Sequence, residues 1–415
     1  MCCSYGCENA GIRVTASSPD SGMNQPVADH VRTRPPLALL SLGFRPFYLL
    51  ASAFAALSMA LWVAQYAGWL PFTYLRGSAW HGSEMLFGYA TAVVAGFLFT
   101  AVRNWTGKPT PSGAALAGCA LLWLAGRVLA VTPYAAAAAV ANAAFPLAVA
   151  AGIAIPLARA RNRRNYFFVA LLAGLALAAL GAHLGGFDTL AWPQRATLQV
   201  GLDIVLFIMA VMGGRVIPMF TNNAIPGTQA RRAPALERAA LGGVLLLTLA
   251  DLAQAPPVVL VPLALAVAMA NAVRLWLWQP WRTVHTPLVW ILHAAYAWIV
   301  VHLLLRSLAA LDLVPVPLAT HALTVGAIGG LTIGMMTRTA RGHTGRPLRA
   351  ERADVTCYAL VMLAAVVRVA GPIAMPDAYR ATVVVAGACW AIAFALYALA
   401  YAPSLLGPRS DDKPA

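Results

Sequence analysis

Eight histidines and a few isolated acidic and basic residues are the side chains of this sequence that could do chemistry. Imidazole is neutral near pH 7, binds iron or copper through one ring nitrogen, and needs only an acceptor for the other. His81 and His321 each open a long apolar stretch. Two such ligands on facing helices can clamp a haem iron from either side. His293 lies about 13 Å into another apolar stretch, counted at the helical rise. His285 opens that stretch, His343 sits in a cytoplasmic loop, and His30 belongs to the polar N-terminal segment. His293 and His302 would point to opposite helix faces about 13 Å apart, and His285 and His293 differ by about 80° and two turns, so neither pair shares an ion. His183 and His302 also admit a blander reading, as interfacial residues reaching lipid headgroups.

Three further residues join the candidates because a polar group within an apolar segment is a functional candidate by default. Glu84, three residues after His81, either accepts a hydrogen bond from a ligand imidazole or relays protons, or else is a carboxylate stabilised by a helix N-terminus. Asp203 and Arg215 share one stretch but are too far apart to pair directly, and Asp203 is read as the buried functional acid.

The elements that must position these residues are membrane helices. Hydrophobic residues make up 60% of the 415 positions and charged residues 10%, well below the share of about a quarter found in soluble domains. Backbone groups in lipid must be satisfied within helices or closed barrels, and the apolar runs lack the period-two alternation of barrel strands. Spans are expected near 47–67, 84–102, 113–131, 134–158, 166–186, 197–219, 236–254, 256–276, 284–307, 318–337, 355–371 and 379–402. The expected fold is an all-α, polytopic membrane protein of about twelve transmembrane helices. Sorting the 29 basic residues by side, with the N-terminus inside, leaves six outside (Arg76, Arg127, Arg195, Arg306, Arg368 and Arg380) and 23 inside. One missed span would reverse every later loop, so this asymmetry places both termini in the cytoplasm. It also accounts for the net charge of +15. No basic segment is long enough to track a phosphate backbone, and nucleic acid is excluded as a partner.

Residues 1–36 form a polar segment without the apolar core of a secretory signal, read as a disordered cytoplasmic tail. Its Cys2, Cys3 and Cys7 either bind a metal or precede the true start at Met23. The membrane domain then covers 37–403, and 404–415 is a C-terminal cytoplasmic tail. Cys119, Cys357 and Cys389 lie in apolar stretches at unrelated positions, as small hydrophobes rather than a disulfide framework. No phosphate-binding loop, dinucleotide-binding glycine pattern or nucleophile elbow appears.

An internal repeat links two of the helices. Arg103-Asn-Trp-Thr106-Gly107-Lys108-Pro109 and Arg341-Gly-His-Thr344-Gly345-Arg346-Pro347 share the form R-x-x-T-G-[KR]-P. At the same offset of 238 residues, Gly88 falls on Gly326, Gly96 on Gly334 and Ser83 on His321. Helices two and ten thus read as copies of one element. Helix six, with Gly213-Gly214-Arg215 before Pro218, is a looser third copy, which suggests three four-helix units. The stripe Gly326, Gly330, Gly334 admits either close helix packing or the flat face of a cofactor.

Seven segments together resemble the NnrS family of bacterial membrane proteins, which are haem- and copper-containing and act in the nitric oxide response. They are Phe44-Arg-Pro-Phe-Tyr48, Trp80-His81-Gly-Ser-Glu84-Met85-Leu-Phe-Gly88, Asn104-Trp-Thr-Gly107, Gly213-Gly-Arg-Val-Ile-Pro-Met-Phe-Thr221, Leu292-His293-Ala-Ala-Tyr-Ala-Trp298, His321-Ala-Leu-Thr-Val-Gly-Ala-Ile-Gly-Gly330 and Gly342-His343-Thr-Gly-Arg-Pro-Leu348. The resemblance implies a bacterial inner-membrane location, a role in nitrosative stress tolerance, and metal ligands at His81, His293, His321 and His343. The family pattern His-x-His-Glu-Met is met here by His81-Gly-Ser83-Glu84-Met85, so one ligand position is a serine. A more distant similarity is to the catalytic subunits of haem–copper oxidases and nitric oxide reductases. Those have twelve helices in three arcs and haem ligands near the outer ends of helices two and ten. Their copper triad has no counterpart, since helices six and seven lack histidine, and the analogy bears on architecture rather than activity.

The reading that follows is a protein carrying haem b, with His81 and His321 as axial ligands and His293 as ligand of a second centre, copper included. The haem is non-covalent, because no Cys-x-x-Cys-His motif is present. Its partners are the bilayer, nitric oxide or nitrosyl species, and an electron donor or respiratory complex. Two rivals stand beside it: a transporter of a metal or metal–nitrosyl species, and a non-catalytic assembly partner of a respiratory complex.

Overall fold

Helices that are apolar on every face can be stable only against lipid or one another, with backbone groups bonded internally. The computed structural model describes residues 38–70, 77–184 and 194–411. Among them the chain forms twelve helical rods and no strand. In chain order these are α1 (Phe44–Tyr66), α2 (Gly77–Thr106), α3 (Gly113–Leu129), α4 (Ala135–Arg159), α5 (Phe167–Leu184) and α6 (Gln194–Ala224). They continue as α7 (Pro234–Leu252), α8 (Pro257–Leu277), α9 (Pro287–Ala310), α10 (Val316–His343), α11 (Arg352–Ala374) and α12 (Tyr379–Leu406). Ten rods are long and apolar enough to cross a bilayer. Of the others, α3 has only 17 residues, and α7 carries Glu237, Arg238 and Asp251. The expected multi-pass helical architecture is therefore observed.

Several helices are longer than the hydropathy pattern suggests, α2 and α10 among them. α2 begins at Gly77, so His81 and Glu84 lie within it, and α10 runs to His343, which closes the helix instead of sitting in a loop. The expected N-terminal tail, with Cys2, Cys3, Cys7 and His30, falls outside the described residues.

Short connections make successive helices antiparallel neighbours, and α12 packs along α1 to close the bundle. Arg45, buried at the start of α1, donates from one guanidinium nitrogen to the carbonyls of Leu405 at 3.2 Å and Gly407 at 2.6 Å. A cation on the orphan carbonyls of a helix C-terminus is favourable, and here it ties the first helix to the last.

The centre is formed by α2, α10 and α6, of whose apolar stretches 89%, 72% and 67% are buried. These are the three helices that the repeat relates. Tyr89 of α2 hydrogen-bonds Thr332 of α10 at 2.5 Å. Gly201 of α6 leaves room for Leu86 and Phe87 of α2, and Arg338 of α10 lies 3.8 Å from the ring centroid of Phe220 on α6.

The repeat extends to backbone geometry. α2 widens into a π-helical segment at Glu84–Ala90 and α10 does so at Ala322–Gly329, so the two segments start 238 residues apart. Such widenings are rare and often mark functional sites. Both Thr-Gly exits use a left-handed glycine, Gly107 at φ 64° and Gly345 at φ 78°. A Cβ at Gly88 would lie 2.7 Å from Phe54, and one at Gly96 2.9 Å from Phe47, both on α1. In α10 the corresponding atoms would lie 2.3 Å from Trp298 at Gly326 and 3.0 Å from Ile291 at Gly334, both on α9. Gly330 faces Ala295 in the same way, at 2.6 Å. The stripe thus serves helix packing, with α9 filling the space a flat ligand would need.

Gly326→Ala is accordingly expected to destabilise the detergent-solubilised protein by about 1–3 kcal/mol through overpacking. In thermal unfolding, Gly326→Ala combined with Trp298→Leu should lose less than the sum of the single changes. An unchanged midpoint for Gly326→Ala would contradict this packing.

Candidate functional site

The two helices that begin the repeat bring His81 and His321 together. Their ring centroids are 6.5 Å apart with planes 11° from parallel, and Trp62 of α1 stacks on His81 at 4.9 Å. Two imidazoles on opposite sides of one metal ion, with bonds of about 2 Å, have centroids separated by about 6 Å. The His321 Nδ1–H donates to the Pro317 carbonyl at 2.6 Å, which fixes the ring and leaves Nε2 with its lone pair outward. On His81, Nδ1 is buried without a partner among the described residues. An orphaned nitrogen on one ring and a free lone pair on the other, in rings 6.5 Å apart, suit a shared metal centre.

Ser83, where the family pattern has a second histidine, is buried at the last residue before the π-helical segment. In the repeat register it corresponds to His321, so the second imidazole of this pair comes from α10.

The structure does not bring the other two candidate ligands to this pair. Nε2 of His293 lies 3.1 Å from the Thr221 hydroxyl of α6, and its Nδ1 is buried without a partner among the described residues. The His343 ring packs against Phe44 at 5.6 Å. Among the described residues no group of three or more His, Cys, Asp or Glu side chains could hold a metal ion. His183 and His302 are both buried rather than reaching for headgroups. Nδ1–H of His302 donates to the Ala319 carbonyl at 2.8 Å, bracing the first turn of α10.

The remaining candidates belong to buried polar networks. The Glu84 carboxylate is ion-paired through one oxygen with Arg127 of α3. Arg127 also bonds Asn142 of α4, and its guanidinium lies 5.6 Å and 5.9 Å from the rings of Phe54 and Trp123. Gly88 makes this possible, since a Cβ there would lie 2.5 Å from the Arg127 guanidinium. Asp203 accepts from Arg306 of α9 at 2.9 Å and from Gln199 at 3.0 Å, while Arg306 also bonds Asp251 of α7. Arg215 is held by Asn165 at 2.7 Å and lies within 5.8–5.9 Å of the Trp105, Phe167 and Phe168 rings. A fourth network escaped the sequence reading altogether. Arg274 of α8 bonds Glu237 at 3.0 Å, Asn271 at 3.2 Å and Tyr296 at 2.5 Å. A Cβ at Gly214 of α6 would lie 2.8 Å from Glu237 and clash with Arg274. These networks bind neighbouring helices to one another.

The family model described as NnrS protein matches residues 38–409. The chain belongs to the NnrS family. No curated protein sequence matches it. In this NnrS family member the match spans every described helix, including those that carry His81, His293, His321 and His343.

Removing one partner of a buried ion pair strands the other charge, at a cost of about 3–5 kcal/mol, whereas replacing both by apolar groups is often neutral. Glu84→Ala should therefore lower the thermal midpoint strongly in detergent, and Glu84→Ala with Arg127→Leu should recover most of the loss. A Glu84→Ala protein as stable as wild type would contradict a structural role for the pair.

Proposed function

We propose that this protein is a haem-binding protein of the bacterial inner membrane that contributes to tolerance of nitric oxide and nitrosative stress. Its termini lie in the cytoplasm, a reading supported by the 23 to 6 distribution of basic residues. Membership of the NnrS family supports the physiological role. The observation that carries the cofactor is the His81–His321 pair, two ring-parallel imidazoles 6.5 Å apart where the repeated helices meet.

A b-type haem held there supplies a one-electron couple between ferric and ferrous iron. His81 and His321 would take both axial positions, which favours electron transfer or handling of nitric oxide products over direct capture of the gas. The Pro317 carbonyl keeps the His321 tautomer correct for ligation, and Trp62 shields one face of His81. His293, with its buried unpartnered Nδ1, is the candidate ligand of a second centre, copper included. An electron donor or respiratory complex is the partner this activity requires.

An apolar crevice of about 50 Å³ lies between α1, α2, α6, α9 and α10, lined among others by Val93, Phe97, Met209, Met212, Leu292 and Met335. Its lining suits a small uncharged diatomic such as nitric oxide, which prefers apolar surroundings to water.

Absorption spectra of the purified protein, oxidised and reduced, test the reading. Wild type should show a Soret band with sharp reduced α and β bands, lost in His81→Ala and in His321→Ala and retained in His343→Ala. A wild-type protein without haem, after expression with adequate haem supply, would overturn the reading.

A further inference from the structure

The internal repeat places two arginines in corresponding positions with unequal partners. Arg127 stands near the C-terminal end of α3 and Arg368 near that of α11, 241 residues later, within one turn of the 238 that relates α2 to α10. Each guanidinium lies against an aromatic ring, Arg127 over Trp123 at 5.9 Å and Arg368 over Tyr379 at 5.5 Å. Arg127 is neutralised by Glu84, the first residue of the π-helical segment of α2. The first residue of the equivalent segment in α10 is Ala322. Arg368 is thereby left without the carboxylate its counterpart has.

Nothing else among the described residues replaces it. Arg368 is 7% exposed, its only side-chain hydrogen bond among the described residues is a long one to the Tyr379 hydroxyl at 3.3 Å, and NH1 is buried with no partner among them. No carboxylate among the described residues lies within ion-pair distance. A buried guanidinium without a counter-ion is costly, and such charges in membrane bundles are ordinarily paired. The opening turn of α10, which ends in His321, packs against α11, which carries Arg368.

We propose that Arg368 receives a carboxylate of the ligand held by His81 and His321, so that the site recognises an anionic tetrapyrrole by its propionate edge. The inference rests on the haem reading above and adds a recognition residue to it. The ligand supplies in α11 the negative charge that Glu84 supplies to Arg127. Arg368 binds rather than reacts, and the carboxylate stays ionised against a fixed cation.

The test compares protohaem with its dimethyl ester, which has the same ring and iron and no ionisable carboxylate. Both are titrated by Soret absorbance into full-length protein purified from haem-limited cells, as wild type, Arg368→Gln and Arg368→Lys. Wild type should prefer protohaem by about tenfold or more, the worth of one charge-assisted pair. Arg368→Gln should abolish that preference by weakening protohaem alone, and Arg368→Lys should restore part of it. Comparing the ratio of the two affinities between wild type and the variants cancels the ester's greater partition into detergent. Equal binding of both compounds by wild type would overturn the proposal, as would an equal loss of both in Arg368→Gln. Either outcome leaves the histidine reading intact provided binding still depends on His81. Failure of wild type to bind either compound would overturn both.

Discussion

A guanidinium cannot be left unpaired in a medium that does not solvate it, and this bundle is organised around that constraint. Arg127 joins α2, α3 and α4 through Glu84 and Asn142. Arg274 joins α7, α8 and α9 through Glu237, Asn271 and Tyr296. Arg306 joins α9, α6 and α7 through Asp203 and Asp251. Because each pair crosses between helices, it fixes a register that apolar contacts alone leave free to slide. Gly88 and Gly214 supply the room, since any side chain there would meet the guanidinium or its carboxylate.

Close helix packing positions the histidines. α2 and α10 are the two most buried long helices, and each widens into a π-helical segment just after its histidine. Glycines then let α1 pack into α2 and α9 into α10 in matching fashion, Phe54 at Gly88 and Trp298 at Gly326. Two copies of one helix thereby meet with His81 and His321 face to face, although the residues are 240 positions apart in the chain.

The spans, the helical class and the repeat were legible in the sequence because hydropathy and Thr-Gly-basic-Pro exits are local signals. The pairing of His81 with His321 was legible through the repeat, which predicted that helices two and ten are equivalent. The buried ion pairs were not. Arg127, Arg306 and Arg368 read as outer-surface charges, since charge sorting assigns a residue to a helix end without saying which neighbour it faces. A signal was nevertheless present. Arg127 follows Ala-Gly and precedes Val-Leu, Arg306 follows three leucines, and Arg368 lies in Val-Val-Arg-Val-Ala, whereas the basic residues of loops come in clusters such as Arg161-Asn-Arg-Arg164. A lone arginine with apolar neighbours on both sides reads as a buried partner. Glu84 was misplaced for a related reason, as hydropathy began α2 seven residues late and set the carboxylate at the helix start.

The central claim is that one iron is held between the imidazoles of α2 and α10, and electron paramagnetic resonance of the oxidised wild-type protein at low temperature tests it most directly. Two imidazole ligands impose a low-spin ferric state, and ring planes within 11° of parallel favour a rhombic signal. That spectrum, absent from His321→Ala, is the predicted result. A high-spin ferric signal in wild type, indifferent to residue 321, would contradict it.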